Sequence, residues 1–313
     1  MLVSEKNEND SLVSCSLFSQ LAILFSALPG VDPIFKSLET ARGSGRPLTW
    51  PPPFLLTRFA GVFGPPMAEW CIGRIVAHER NFLVSHSDQL SGQWAASKSV
   101  FEYRYLSEMT LTVLGSTGDI GKCIGKAAKA FGMNVVGYSR SGGRDGDDET
   151  CFDEQVTDLT TALQAADYIV AVLPSTDATR GLLTLDKLQT ANAEAGGRSP
   201  VLINVGRGDL VSSETLTRAL DEGHLSAVIL DVMDPEPLPP DSPLWKHPKV
   251  TISPHVSALT RGKDVPKVIL QQYKHYCHAV AQNEDNKIGK DSISAMTAIA
   301  SSLNYVVDWN KGY

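Results

Sequence analysis

Residues 111–140, LTVLGSTGDIGKCIGKAAKAFGMNVVGYSR, constrain the fold more than any other stretch of the chain. Residues 111–114 are an apolar run that ends directly in Gly115, and beyond Gly118 the residues Ile120, Ile124, Ala127, Ala128 and Phe131 recur at helical spacing. Gly132 stops that helix, and residues 134–138 form a second β-branched run. A strand, a helix and a strand in this order read as a parallel βαβ unit, since parallel strands need a long crossover and the helix supplies it.

The corner between the first strand and the helix reads GSTGDIG. Glycines there allow a tight turn and let backbone N–H groups approach a pyrophosphate, whose charge is favoured at a helix N-terminus. Gly115, Gly118 and Gly121, with Asp119 and Ile120 between them, are the candidate contacts. The usual spacing is G-x-G-x-x-G, so either Ser116 stands at the first glycine or the loop holds one extra residue, and a loop that only turns the corner is the plainer alternative. The end of the second strand adds information. An NAD-binding unit places an acid there to bond the ribose hydroxyls, whereas this chain has Ser139-Arg140. A hydroxyl followed by a guanidinium suits a 2′-phosphate, so the pair predicts NADP(H) as the preferred cofactor, with NAD(H) still able to bind.

Further strands are predicted at 167–173, 201–205, 227–232 and 250–253, and helices at 158–165, 184–190, 212–222 and 263–281. Residues 141–154 and 192–199 read as surface turns. This alternation is the signature of a doubly wound parallel α/β sheet. Upstream, 21–28 reads as a strand or short helix before the turn Pro29-Gly30-Val31-Asp32, and 54–64 as a strand and turn. Pro65-Pro66 opens a helix running to about Phe82. The strand count assigns 105–281 to a dinucleotide-binding domain, and 1–104 with 282–313 to a second, smaller domain.

Composition bounds the partners. With 42% apolar and 20% charged residues the chain is of globular type, and a net charge of −7 argues against nucleic acid, which needs a basic face. Five cysteines without a C-x-x-C pair argue against a metal and fit free thiols in a reducing, cytoplasmic setting. The apolar stretch 12–28 follows Glu5, Lys6, Glu8 and Asp10 instead of a basic region, so it does not read as a signal peptide, and no run approaches the roughly 20 apolar residues of a membrane span.

In an open parallel sheet, ligands bind outside the carboxyl ends of the strands. INVGRGDLV puts Val205 and Arg207 at one such end, LDVMDPEPLP puts Asp231 and Glu236 at the next, and SPHVSALT puts His255 at the last. Singly, these are a loop cation, a solvated acid and a helix cap. Together, beside a dinucleotide loop, they supply what reduction of a 2-oxo acid needs: a cation to hold the carboxylate and polarise the carbonyl, and an acid to protonate the alkoxide. A Glu bonded to the imidazole would favour its protonated form.

With these motifs the chain resembles the D-isomer-specific 2-hydroxyacid dehydrogenases, and within them the glyoxylate/hydroxypyruvate reductase A branch, from about Leu28 to Tyr313. The resemblance implies a Rossmann-type dinucleotide domain with a smaller, N-terminally short, flavodoxin-like substrate domain, a homodimer, and an active site in the cleft. It implies that Arg207 binds substrate, that His255 is the acid and that Glu236 pairs with it. Asp231 would meet the nicotinamide amide, Pro174 and Thr179 in LPSTDAT would line the cofactor, and the backbone of Gly30 and Val31 would hold the substrate carboxylate. The implied activity is NADPH-dependent reduction of a small 2-oxo acid to the D-2-hydroxy acid, with no nucleic acid or membrane partner. The alternative is a dinucleotide-binding sensor, or an inactive member, without turnover. The chain departs from the family in its glycine loop, in Ser212 where an Asp commonly follows the valine, in an insertion at 282–302, and in having only 28 residues before Pro29. The last departure predicts an incomplete substrate-domain sheet with an apolar face at Leu21, Ile23, Leu24 and Phe25.

Overall fold

The computed structural model describes residues 23–25, 40, 55–94, 96–142, 151–285 and 306–307, with backbone alone at 23–25 and 279–285. Gly30, Val31 and most of the 282–302 insertion lie outside the described residues. The chain divides into two compact units, Met1–Gly61 with Thr260–Tyr313, and Val62–Leu259.

In the first unit, β1 (Ile23–Phe25) pairs in parallel with β2 (Leu55–Thr57), and Thr57 forms an antiparallel bridge to Val306.

The second unit is built on a parallel sheet of seven strands in the order β5-β4-β3-β6-β7-β8-β9. Its chain runs through α1 (Gly64–Glu79), α2 (Phe82–Leu90), β3 (Thr110–Leu114), α3 (Asp119–Ala130), β4 (Asn134–Tyr138), β5 (Glu154–Val156), α4 (Leu159–Gln164) and β6 (Tyr168–Ala171). It continues through α5 (Leu185–Glu194), β7 (Val201–Asn204), α6 (Ser213–Asp221), β8 (Ala227–Leu230) and β9 (Val250–Ile252), and α7 (Val265–Asp285) follows in the first unit. The order reverses beside β3, which pairs with β4 on one side and β6 on the other. Ligands gather at that reversal.

The central strands β6, β7 and β8 are buried at every position, as expected of a sheet covered on both faces. Leu163, Leu188, Leu216 and Leu220 from the helices and Ile169, Leu202, Val228 and Leu230 from the strands share one core. In α1 the buried residues Met67, Ala68, Cys71, Ile72 and Ile75 follow the helical period, and a Cβ on Gly64 would meet the Cys123 sulfur of α3 at 2.5 Å. Contact therefore brings residues 62–104 into the sheet unit and sets the division at Val62 and Thr260, where strand counting drew it at 105 and 281. Glu79, at the end of α1, secures this attachment. It accepts from Tyr168 Oη at 2.8 Å and from Arg104 at 2.6 Å, while Arg104 also reaches Asp167 at 2.8 Å. The Tyr168 proton being committed to Glu79, His78 Nδ1 donates to the Tyr168 oxygen at 2.6 Å.

Three elements differ from the sequence reading. Residues 154–156, at and just beyond the end of the expected surface turn, pair with Val136–Tyr138 as a seventh, edge strand. The helix expected at 184–190 continues to Glu194, with Thr184 as its cap. The helix expected to end near Phe82 stops at Glu79, and α2 follows it without burying any of its residues. Among the described residues, no helix is long and apolar enough to cross a membrane.

Candidate active site

The loops after β7, β8 and β9 carry Arg207, Glu236 and His255. Arg207 stands between two glycines that no other residue could replace without movement. A Cβ on Gly206 would lie 2.7 Å from the Leu173 oxygen, and one on Gly208 would lie 2.0 Å from the Met233 carbonyl carbon. Asn204, buried at the end of β7, holds the same loop: its Nδ2 donates to the Arg207 oxygen at 2.9 Å and its Oδ1 accepts from the Gly206 N–H at 3.2 Å. The half-buried guanidinium folds back to the Gly206 oxygen at 2.9 Å.

Glu236 works with both carboxylate oxygens. Oε1 accepts from the Met233 N–H at 3.0 Å, which fixes the loop after β8, and Oε2 accepts from His255 Nδ1 at 2.9 Å. Because Nδ1 is spent on Glu236, Nε2 is the ring nitrogen left for another partner, and the imidazole side chain is 50% exposed. Gly208 lies against Met233, so the arginine loop abuts the loop that holds the Glu236–His255 pair.

His255 has φ +53°, a left-handed conformation that is uncommon for a residue with a side chain. Asp231 accounts for it. Its carbonyl accepts from the His255 N–H at 2.9 Å, and its carboxylate accepts from Ser253 Oγ at 2.6 Å, Val256 N–H at 2.9 Å and Ser257 N–H at 2.8 Å. With no exposed surface, Asp231 is committed to this loop. Its burial raises the carboxyl pKa, but the bonds from Ser253, Ser257 and the two backbone N–H groups more than offset that and hold it below the ordinary range. Burial, and after it the Asp231 charge, push the Cys71 thiol of α1 far above the thiol range, which excludes it as a nucleophile.

At the reversal of strand order the glycine turn has a defined shape. Gly115 takes φ +110° and Gly118 N–H closes a turn onto the Gly115 oxygen at 3.3 Å, so the chain turns at Gly115, one residue ahead of Ser116. Ser116 is buried and donates to Gln155 at 2.9 Å. A Cβ on Gly121 would lie 2.3 Å from the Gly115 oxygen, so the helix can pack this closely only on glycine. With Gly118 as N-cap no cap side chain covers the first-turn N–H groups of α3, and Asp119 and Ile120 open that helix. This end fits a pyrophosphate. At the end of β4, Ser139 is buried and its hydroxyl donates to the Gly142 oxygen at 2.8 Å, whereas Arg140 is exposed.

The family profile described as D-isomer specific 2-hydroxyacid dehydrogenase, NAD binding domain, matches residues 72–257. The chain belongs to the D-isomer specific 2-hydroxyacid dehydrogenase family. A glyoxylate reductase of Aeropyrum pernix is 30% identical over 275 residues, spanning 83% of this chain and 77% of that protein. The crystal structure of a D-isomer specific 2-hydroxyacid dehydrogenase family protein from Aeromonas salmonicida superposes with a TM-score of 0.68 at 30% identity, covering 93% of this chain and 80% of the other. An NADPH-dependent glyoxylate/hydroxypyruvate reductase of Sinorhizobium meliloti, solved with NADP and sulfate, gives 0.68 at 25% identity, covering 95% and 83%. This dehydrogenase therefore carries the family's dinucleotide domain and belongs with enzymes acting on small 2-hydroxy and 2-oxo acids.

Of the residues expected along the cofactor, Thr179 is engaged within its own loop, accepting from the Thr176 N–H at 2.8 Å and donating to the Pro174 oxygen at 2.6 Å. Val205 is buried and extends β7, its N–H donating to the Ala171 oxygen at 3.1 Å. Sequence reasoning passed over Asn204, Ser253, Ser175 and Asp209. Asn204 had a signal, an amide closing an apolar strand, but the others are ordinary loop residues until their partners are seen. An open recess of about 480 Å³ beside the Glu236 loop, bordered by Asp209, Asp234 and Asp241, is lined with the wrong charge for a carboxylate substrate.

Proposed function

We propose that the dehydrogenase is an NADPH-dependent reductase of a small 2-oxo acid of the glyoxylate or hydroxypyruvate kind, forming the D-2-hydroxy acid. The observation that carries this reading is the Glu236–His255 bond at 2.9 Å on the loop that abuts the Arg207 loop. The names of the Aeropyrum and Sinorhizobium relatives support the substrate class. The dinucleotide, held by the glycine turn and Arg140, supplies a hydride when bound. Arg207 holds the carboxylate and polarises the carbonyl, His255 gives the Nε2 proton to the developing alkoxide, and Glu236 keeps the ring oriented and favours its protonated form. Asp231 acts behind His255 as a positioning residue. The free thiols at Cys71, Cys123, Cys151 and Cys277 support a cytoplasmic setting.

Turnover of a panel of 2-oxo acids with NADPH tests the reading. Reduction of glyoxylate or hydroxypyruvate is the expected result. Tight NADPH binding with no turnover across the panel would favour a dinucleotide sensor instead.

Cofactor choice turns on Arg140. With the Ser139 proton committed to Gly142, the exposed guanidinium is the member of this pair left to meet a 2′-phosphate. Losing one charge-assisted bond of about 1.5–3 kcal/mol, Arg140→Gln is expected to weaken NADPH roughly 10–100-fold and leave NADH nearly unchanged. Equal losses for the two cofactors in a binding titration would remove Arg140 from that role.

The working form is proposed to be a homodimer built on residues 82–105. Phe82, Leu83, Leu90, Phe101 and Tyr105 are exposed there, Trp94 is 97% exposed, and α2 buries none of its own residues. A nine-residue helix without a packed face is not stable alone in water, and a cluster of this kind marks an association surface. Sedimentation of the wild type as a dimer, and of Trp94→Glu with Leu83→Glu as a monomer, is the expected outcome; a monomeric wild type overturns it.

A further inference from the structure

Asp209, two residues beyond Arg207, joins the arginine loop to the loop that follows β6. Its Oδ2 accepts from Ser175 Oγ at 2.5 Å and lies 3.7 Å from Arg180 Nε. Its backbone oxygen accepts from the Gly181 N–H at 2.8 Å, and the next oxygen, of Leu210, accepts from the Leu183 N–H at 3.2 Å. Residues 209 and 210 are thus fastened near both ends of the 174–183 loop. The backbone bonds sit at its far end, and the Asp209 carboxylate is the link to its near end, beside Pro174.

The two sides of this link are stiff. Thr179 Oγ1 closes the 174–179 segment on itself, donating to the Pro174 oxygen and accepting from the Thr176 N–H, so this segment shifts as one piece. Arg207 has little play, because Gly206 is wedged against Leu173, Gly208 against Met233, and Asn204 holds the arginine carbonyl. A displacement at Ser175 is passed along the carboxylate to the arginine loop. Arg180 contributes little to this, since its side chain is 57% exposed and also pairs with Asp177 at 2.8 Å. The hydroxyl-to-carboxylate bond is the strong element.

We infer that Asp209 is a positioning residue that couples dinucleotide binding at the 174–179 loop to 2-oxo acid binding at Arg207. The inference rests on the functional reading above, in which Arg207 holds the acid, together with the family resemblance that sets Pro174 and Thr179 of the other loop along the dinucleotide. A dinucleotide that orders the first loop orders Arg207 through Ser175 and Asp209, and by linkage the acid strengthens the dinucleotide by the same factor. The rival account is that Asp209 only stitches two loops for stability, in which case both ligands weaken without any change in their mutual effect.

The test is binding, without turnover. Oxalate, a planar dianion with the carboxylate and adjacent oxygen of a 2-oxo acid, is titrated calorimetrically into the full chain with and without saturating NADP+. The proteins are the wild type, Asp209→Ala, Ser175→Ala and the double variant. In the wild type NADP+ is expected to tighten oxalate by roughly 5–150-fold, the usual size of such coupling. In either single variant this ratio falls toward unity while oxalate affinity without NADP+ stays close to wild type, and the double variant goes no further, because both substitutions cut one link. Ser175→Ala leaves Asp209 and every backbone bond in place, so it keeps the test open if Asp209→Ala folds poorly. A wild type that binds both probes independently, or single variants that keep the wild-type ratio, overturns the inference alone. A wild type that binds neither probe overturns the functional reading, and the inference with it.

Discussion

Replacing His255 by Asn is expected to lower kcat for 2-oxo acid reduction by roughly 10²–10⁴-fold, the usual contribution of a positioned general acid, with NADPH affinity close to wild type. Asn is the informative substitute because position 255 adopts φ +53°, where Asn is tolerated and Ala is strained, so the loss reports the missing proton donor and not a collapsed turn. The ring is held ready to give a proton: Nδ1 is engaged by Glu236 at 2.9 Å, which leaves Nε2 for the transfer in the proposed reaction. Glu236→Gln should fall between the variant and wild type, since an amide oxygen still accepts from Nδ1 while the charge that favours the imidazolium is gone. Steady-state kinetics of the two variants checks the order of effects. Wild-type kcat in His255→Asn would assign the proton to another group.

How much of this was legible in the sequence depends on burial. The strands YIVA, VLIN and AVIL are covered on both faces, so each is an uninterrupted apolar run and its end is marked by the first polar residue. That is why Arg207, Asp231, Glu236 and His255 could be picked out and placed along one edge of a sheet. The strand EQV could not be found this way. Its side chains are exposed or half-exposed, it has three residues, and it exists because Val136, Gly137 and Tyr138 offer it an edge. Helix α2 was missed for a related reason, since it fully buries none of its residues and has no burial pattern to betray it. In the site, the glycine loop left two readings open because spacing alone does not say which residue turns; the positive φ at Gly115 does. Asp209 and Ser175 were beyond reach, being 34 residues apart and joined only when neighbouring strands set their loops side by side.

Asp231→Asn is expected to lose activity to a degree comparable with His255→Asn, and to lose stability as well. The carboxylate has no exposed surface and accepts from Ser253 Oγ and from the N–H groups of Val256 and Ser257, so these donors have no solvent to turn to when it is replaced. An amide offers one acceptor oxygen and turns an NH₂ toward a donor, leaving at least one buried N–H or O–H unpaired at about 1–3 kcal/mol each. Without the carboxylate, the turn after β9 keeps the His255 N–H bond to the backbone oxygen of residue 231 but loses its anchors at Ser253, Val256 and Ser257, and the ring then loses its register with Glu236. The pH dependence separates this account from a simple packing defect. Burial pulls the Asp231 carboxyl up, but its hydrogen bonds from Ser253, Ser257 and the Val256 backbone hold it below the ordinary 3.8. A depressed carboxyl contributes stability that is fully present above its unfolded value and is lost as pH falls through the lower folded value. Thermal unfolding of the wild type and Asp231→Asn should therefore differ most at pH values above about 4 and converge in more acidic solution. A gap that stays constant through the acid range would mean that the charge on Asp231 is not what holds the catalytic turn.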